Sequence, residues 1–211
     1  MMPRTSMYRY KLLQSIIKGT VAMESVNITR WGGLISMISG VLWILHGFVT
    51  LLILVLHLDN SASKSIYDYL SIILYSCALL TLVGAPLGLH ALQAQRTRGP
   101  GVLDFFVIIL GALLAAISNL LGNAFNISFM QQVVYTPAFI ALLISMLIFA
   151  VLILTAGLLP PRYSVMLVVG LLGLFLVAAG GGIVLGILWI ILGYSLWSGK
   201  AMMSMMSEEM D

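Results

Sequence analysis

Apolar residues in this chain fall into six long runs, at about 33–58, 66–92, 102–122, 137–159, 163–179 and 183–198, and polar residues gather in the gaps between them. Within a run the apolar residues do not alternate with polar ones, which excludes the strands of a membrane barrel, with one face lipid and the other lumen. As a helix rising 1.5 Å per residue, a run of about 20 residues matches a hydrocarbon core of roughly 30 Å. Hydrocarbon offers no water to backbone N–H and C=O groups, and a helix satisfies them within itself. The pattern predicts an all-α membrane protein, a six-transmembrane-helix bundle whose last two helices form a short hairpin.

Interruptions refine that reading. The run 33–58 exceeds the core thickness and is expected to tilt. Pro86, between Gly84 and Gly88, predicts a kink near residues 82–86, because proline removes a backbone donor and crowds the preceding turn. Residues 123–136 carry no charge and are expected at the outer surface as one turn of interfacial helix, with Pro137 opening the fourth span at a position where proline is tolerated. Residues 163–198 in one helix would reach about 54 Å, so Gly180-Gly181-Gly182 is read as a turn between two short spans. A re-entrant hairpin is the alternative, and both arrangements leave its two ends on one side. In residues 1–30, Leu12, Leu13, Ile16 and Ile17 oppose Lys11, Gln14, Ser15 and Lys18, which suits a short cationic amphipathic helix on the membrane surface or an unstructured tail. Gln14, Ser15 and Lys18 interrupt any signal-peptide core. The expected organisation is a cytoplasmic segment 1–30, a transmembrane domain 31–198, and a cytoplasmic methionine-rich tail 199–211.

Charge gives the orientation. Arg4, Arg9, Lys11, Lys18, Arg30, Arg96, Arg98, Arg162 and Lys200 fall on one side of the six-span arrangement and Lys64 alone on the other. Cytoplasmic loops carry the excess of basic residues, so both termini are expected in the cytoplasm and the protein in the cell's inner (plasma) membrane. Trp31, Tyr163 and Trp197 would then sit at the inner interface, and Tyr67, Tyr69 and Tyr135 at the outer one. Charged residues make up 8% of the chain, against about 25% in soluble domains, which excludes an ordinary soluble fold. The net charge of +3 is spread along membrane edges instead of forming a basic patch, so the expected partner is the lipid bilayer and not nucleic acid. A homo-oligomer or a membrane-protein partner stays open. With one cysteine, Cys77, no intrachain disulfide can form.

Helices in lipid associate through close backbone approach and interhelical hydrogen bonds. Small residues four apart mark candidate contact faces: Gly32, Ser36 and Gly40; Gly84 and Gly88; Gly111 and Ala115; Ser118 and Gly122; Gly182 and Gly186.

Polar groups inside the spans are the candidate chemistry, because each is costly in hydrocarbon. His46 lies mid-span near Trp43 and Thr50, with His57 eleven residues on and about 16 Å along the axis, too far to share one metal. A proton-linked role is conceivable for such an imidazole; the plainer reading is a neutral His46 bonded to a neighbouring helix and a His57 wetted at the outer edge. His46, His57 and His90 sit at three depths and do not suit a haem clasp. Asp104 opens the third span, where a carboxylate favours a helix N-terminus and can meet Arg96 or Arg98; Asp68 is its mirror at the outer start of the second. Asn119 and Asn123, one turn apart, are read as interhelical hydrogen-bonding groups before a polar vestibule. The methionines at 202, 203, 205 and 206 lack a histidine or cysteine beside them, so neither metal nor cofactor is expected. No catalytic motif appears. The first reading is a non-enzymatic accessory or regulatory membrane subunit; the second is a small-solute or proton-coupled transporter using His46, Asn119 and Asn123; the third is an intramembrane enzyme.

Arg30-Trp31-Gly32-Gly33 through Gly40-Val41-Leu42-Trp43 resembles the first span of small multi-span membrane proteins of uncharacterised activity from bacteria such as Chloroflexi and actinobacteria. Gly84-Ala85-Pro86-Leu87-Gly88-Leu89-His90-Ala91 and Gly193-Tyr194-Ser195-Leu196-Trp197 are similar to later parts of such chains. The resemblance covers most of residues 30–198. It implies a bacterial inner-membrane helical protein, makes Met23 a candidate start, and implies no activity.

Overall fold

In the computed structural model the described backbone covers residues 4–56, 65–96, 102–155 and 181–199, with 165, 168–170, 173, 174 and 176 between the last two; side chains of 4–25, 93–96 and 102 are not described. Among the described residues the regular structure is entirely helical. The elements are α1 (Arg4–Val55), α2 (Ile66–Thr81), α3 (Gly84–Arg96), α4 (Val102–Asn119), α5 (Thr136–Thr155) and α6 (Gly181–Trp197), with π-helical turns at Leu120–Ala124 and Met130–Tyr135. Four stretches are long and apolar enough to cross a membrane: Val26–Val55, Ile66–Leu92, Leu103–Ala124 and Met130–Thr155. Gly181–Trp197 is a shorter apolar helix. Large apolar side chains stand exposed along their outer faces, among them Ile38, Val41, Leu45, Phe48 and Leu52 of α1. That much apolar surface belongs in lipid, and the protein is membrane-embedded.

One local boundary differs from the pattern-based expectation. The helix runs unbroken from Arg4 to Val55, so no turn separates the cationic segment from the first span. α2 starts at a capping box: the Ser65 backbone N–H donates to Asp68 Oδ2 at 2.6 Å, and Ser65 Oγ accepts from the Asp68 N–H at 3.3 Å. Asp68 thus supplies the N3 carboxylate that satisfies an otherwise orphaned donor. The second span breaks between α2 and α3 at Leu82 and Val83, just ahead of Pro86, whose missing N–H leaves no bond to hold that turn.

The segment expected as a separate surface turn is instead the tip of a helical hairpin. α4 continues through its π-turn to Ala124, the chain reverses around Asn126 (φ 56°), and the next span begins at Met130. Asparagine tolerates the left-handed conformation better than most residues. The π-turn at Met130–Tyr135 precedes Pro137 and loosens the backbone where its ring would crowd the previous turn. At the other hairpin, Gly181 and Gly182 begin α6 instead of forming a turn; the Gly181 N–H donates to Leu176 O at 2.8 Å.

Helix packing follows two adjacent glycine and serine stripes on α1. Gly33, Gly40 and Gly47 recur every seven residues and so stay on one face. All three face α6: a Cβ on Gly33 would meet Gly193 O at 2.6 Å, one on Gly40 would meet Gly186 O at 2.5 Å, and one on Gly47 would meet Ile183 Cγ1 at 2.7 Å. Gly182 lies at the far end of the same crossing, 3.0 Å from Trp43 O by the same measure. Gly32, about 100° round the helix from Gly33, faces α3, where its Cβ would meet Gly88 N at 2.5 Å and Gly84 O at 2.7 Å. The proposed triplet of Gly32, Ser36 and Gly40 therefore does not form one face: Gly32 meets α3 and Gly40 meets α6. Gly111 of α4 rests on Ala138 and Leu142 of α5, and Gly122 on Gln131.

These contacts set the directions. Gly33 lies by Gly193 and Gly47 by Gly182, so α1 and α6 are antiparallel. Thr29 donates to Gly88 O (3.4 Å) and Ser39 to Ala78 O (3.2 Å), so the second span is antiparallel to the first. Asn119 bonds Ser76 while Phe105 stacks on His90, which makes α4 antiparallel to the second span.

Candidate functional site

Two short polar tracks meet on α2 at the adjacent residues Tyr75 and Ser76. His46 is buried on α1, with Trp43 edge-on at 5.8 Å between ring centroids and Tyr75 tilted against it at 5.1 Å; Trp43 and Tyr75 meet edge-to-face at 5.4 Å. Such edge contacts let the positive rim of one ring meet the negative face of another. Tyr75 continues the track, its hydroxyl 2.7 Å from that of Tyr135. Tyr135 stacks in turn on Phe139 at 5.5 Å.

Thr50 donates its hydroxyl to His46 O at 2.9 Å, which leaves its oxygen to accept from His46 Nε2 at 3.5 Å. That pairing suits the tautomer with its proton on Nε2, which makes Nδ1 the acceptor. Nδ1 is buried without a protein partner among the described residues, as are the indole N–H groups of Trp43 and Trp189. A buried polar atom left without a bond costs about 1–3 kcal/mol, so Trp43 and His46 of α1 and Trp189 of α6 carry unmet hydrogen-bonding capacity.

The second track is a ladder of amides. Gln131 Nε2 donates to Asn123 Oδ1, Asn123 Nδ2 donates to Asn119 Oδ1 at 2.7 Å, and Asn119 Nδ2 donates to Ser76 Oγ at 2.9 Å and Ile72 O at 3.3 Å. Gln131 is exposed, Asn119 buried, and the ladder enters the bundle from the hairpin tip between α4 and α5. An amide both donates and accepts but does not titrate. The ladder ties three helical segments together and cannot pass a proton by its own ionisation. His46, Tyr75 and Tyr135 are the titratable members of the cluster.

The sequence-marked residues separate into two ends. His46, Asn119 and Asn123 come together around α2. Asp104 lies in the first turn of α4, about 22 Å of helix from Asn119, beside Phe105, whose ring stacks on His90 at 4.6 Å and 4°. The side chains of Arg96 and Arg98 that Asp104 was expected to meet lie outside the described residues, as do His57 and the methionine tail. Tyr75, Ser76 and Gln131 were not marked from the sequence, and Tyr135 was marked only as an aromatic residue of the outer interface. A Tyr-Ser pair mid-way through an apolar run was the available signal for the first two. Gln131 and Tyr135 were hidden because their segment was placed on the membrane surface. Among the described residues no group of three His, Cys, Asp or Glu side chains lies close enough to hold a metal ion.

Serines add further ties between helices: Ser36 donates to Trp189 O at 3.1 Å, as Ser39 does to Ala78 O. Comparison with protein-family models, with curated proteins and with solved structures finds no match, so the functional reading rests on this geometry.

Proposed function

We propose that this chain is a six-span bacterial inner-membrane protein with both termini in the cytoplasm, serving as a non-enzymatic accessory or regulatory membrane subunit. One observation carries the functional part: polar side chains within the spans bond one helix to another. Ser36, Ser39, Asn119 and the Tyr75–Tyr135 pair each cross a helix boundary, which is the use that fixes a scaffold.

Parity supports the six crossings. α5 ends at the Arg30 end of the bundle and α6 begins at the opposite end, beside Gly47. A further crossing between them would account for this, and the seating of Gly170 and Gly173 on Trp189 and Leu185 of α6 supports a fifth span there. The sidedness rests on the nine-to-one distribution of basic residues, and the bacterial assignment on the resemblance of Arg30–Trp43 and the later glycine-rich segments.

The second reading, a proton-coupled carrier, is favoured by one feature, the unpartnered Nδ1 of His46 beside Tyr75. Purified protein reconstituted into vesicles with an internal pH indicator separates the two. A scaffold leaves the decay of an imposed pH gradient at the rate of protein-free vesicles. A leak that scales with protein and disappears in His46→Phe would overturn the first reading in favour of the second.

A further inference from the structure

At the Arg30 end of the bundle, α1 and α6 enclose a cleft of about 210 Å³ lined by Asn27, Arg30, Trp31, Leu34 and Trp197. The four α1 residues follow one another at helical spacing, i, i+3, i+4 and i+7, and so form one face. Trp197 reaches that face because α6 lies so close: a Cβ on Gly33 would stand 2.7 Å from the Trp197 backbone nitrogen. The cleft is therefore a product of the glycine crossing.

Its chemistry is specific. Arg30 is exposed, and no ion pair or hydrogen bond engages its guanidinium among the described residues. Asn27 adds an amide that both donates and accepts. Trp31 and Trp197 are 64% and 48% exposed, each an apolar body with one N–H, the side chain that settles at the level of lipid headgroups. Toward the bilayer centre the same face of α1 continues as Ile38, Val41 and Leu45, all exposed and apolar. A cation and an amide at the rim, two indoles at the interface, and an aliphatic track below them match one ligand plan: a phosphate head joined to acyl chains. Arginine's planar fork binds phosphate oxygens in pairs. Among the described residues no carboxylate lines the cleft to receive a headgroup ammonium.

We propose that this cleft is a binding site for a phospholipid of net negative charge, with the phosphodiester on Arg30 and Asn27, the headgroup between Trp31 and Trp197, and an acyl chain along Ile38 and Val41. The site goes beyond the accessory-subunit reading and rests only on membrane embedding, so loss of one does not remove the other. In its expected orientation it draws on the cytoplasmic leaflet, where anionic lipid meets basic side chains.

Delipidated full-length protein in neutral detergent tests this by native mass spectrometry, titrating phosphatidylglycerol against phosphatidylcholine of the same chains, and inorganic phosphate alone. The wild type should retain one phosphatidylglycerol about tenfold more tightly than phosphatidylcholine, a difference of about 1.4 kcal/mol, and inorganic phosphate should not displace it. Arg30→Gln should remove that preference and Arg30→Lys should keep part of it, since charge survives but the paired geometry does not. Because a variant could alter folding, tryptophan quenching is read on the wild type as well. Brominated-chain phosphatidylglycerol should quench it more than the brominated phosphatidylcholine, and Trp197→Phe should reduce the difference. Equal retention of the two lipids by the wild type, an unchanged preference in Arg30→Gln, or displacement by inorganic phosphate each overturns the proposal, the last by making the ligand a free anion.

Discussion

Replacing Gly40 by alanine adds a single methyl group at the centre of the α1–α6 crossing. That methyl would sit 2.5 Å from Gly186 O, 2.7 Å from Ile190 Cγ1 and 3.0 Å from Ile190 N. The isoleucine side chain can turn away, but a backbone carbonyl on a helix cannot, so the helices must part by something under 1 Å. Met37, Ile44, Ile183, Ile190 and Leu196 flank the glycine contacts along this interface. With on the order of ten cross-interface atom contacts each, at about 0.1–0.2 kcal/mol per contact, a 0.5–1 Å gap forfeits a quarter to a half of that attraction. The loss comes to roughly 1–5 kcal/mol, and relaxation brings it toward the 1–3 kcal/mol usual for overpacking. About 2 kcal/mol is the expected destabilisation. Titration with SDS in mixed micelles measures it, read by the fluorescence of Trp43 and Trp189, which are 0% and 1% exposed in the native bundle. Helices persist in SDS, so alanine's better helix propensity largely cancels between the two states. Val41→Ala, one residue away on the exposed face, is the control and should cost far less. Gly186→Ala should match Gly40→Ala, and the double variant should cost less than their sum, because one separation accommodates both methyls. A Gly40→Ala protein within 0.5 kcal/mol of the wild type would refute the close crossing.

Asn119→Ala removes two bonds from Nδ2 and one to Oδ1, and should destabilise the bundle by about 0.6–1.7 kcal/mol in the same titration, from the average to the largest value measured for a hydrogen bond between membrane helices. A double-mutant cycle of Tyr75→Phe with Tyr135→Phe should show a coupling of about 0.5–1 kcal/mol from the 2.7 Å hydroxyl pair; additive effects would place those hydroxyls apart. Cys77, the sole thiol and exposed in the middle of the second span, should resist a charged maleimide in intact membranes and react after SDS unfolding. Labelling without SDS would take that face of α2 out of the lipid. In a Cys77→Ala background, a cysteine introduced at Ser198 should be protected from an impermeant maleimide added outside right-side-out vesicles, as the cytoplasmic assignment requires; ready labelling there would reverse it.

The sequence by itself determined that the chain is helical and embedded in a membrane. Hydrocarbon leaves each long apolar run a single way to satisfy its backbone, and that rule needs no knowledge of neighbours. It also marked His46, Asn119 and Asn123, because a polar group is conspicuous against 61% hydrophobic residues. Tertiary structure alone decided which helix each side chain meets. Gly32 and Gly33 are adjacent in the chain, yet one receives Gly88 of α3 and the other Gly193 of α6, since 100° of rotation separates them. The hairpin at Phe125–Ser128 likewise needed structure: a short uncharged stretch is equally apt as surface turn or span, and only the seating of Gln131 on Gly122 and Asn123 draws it into the bundle. Tyr75 reads as one more apolar residue until Tyr135, sixty positions on, is brought to its hydroxyl. Hydropathy is local to each segment, whereas pairing depends on distances between segments that the bilayer treats alike.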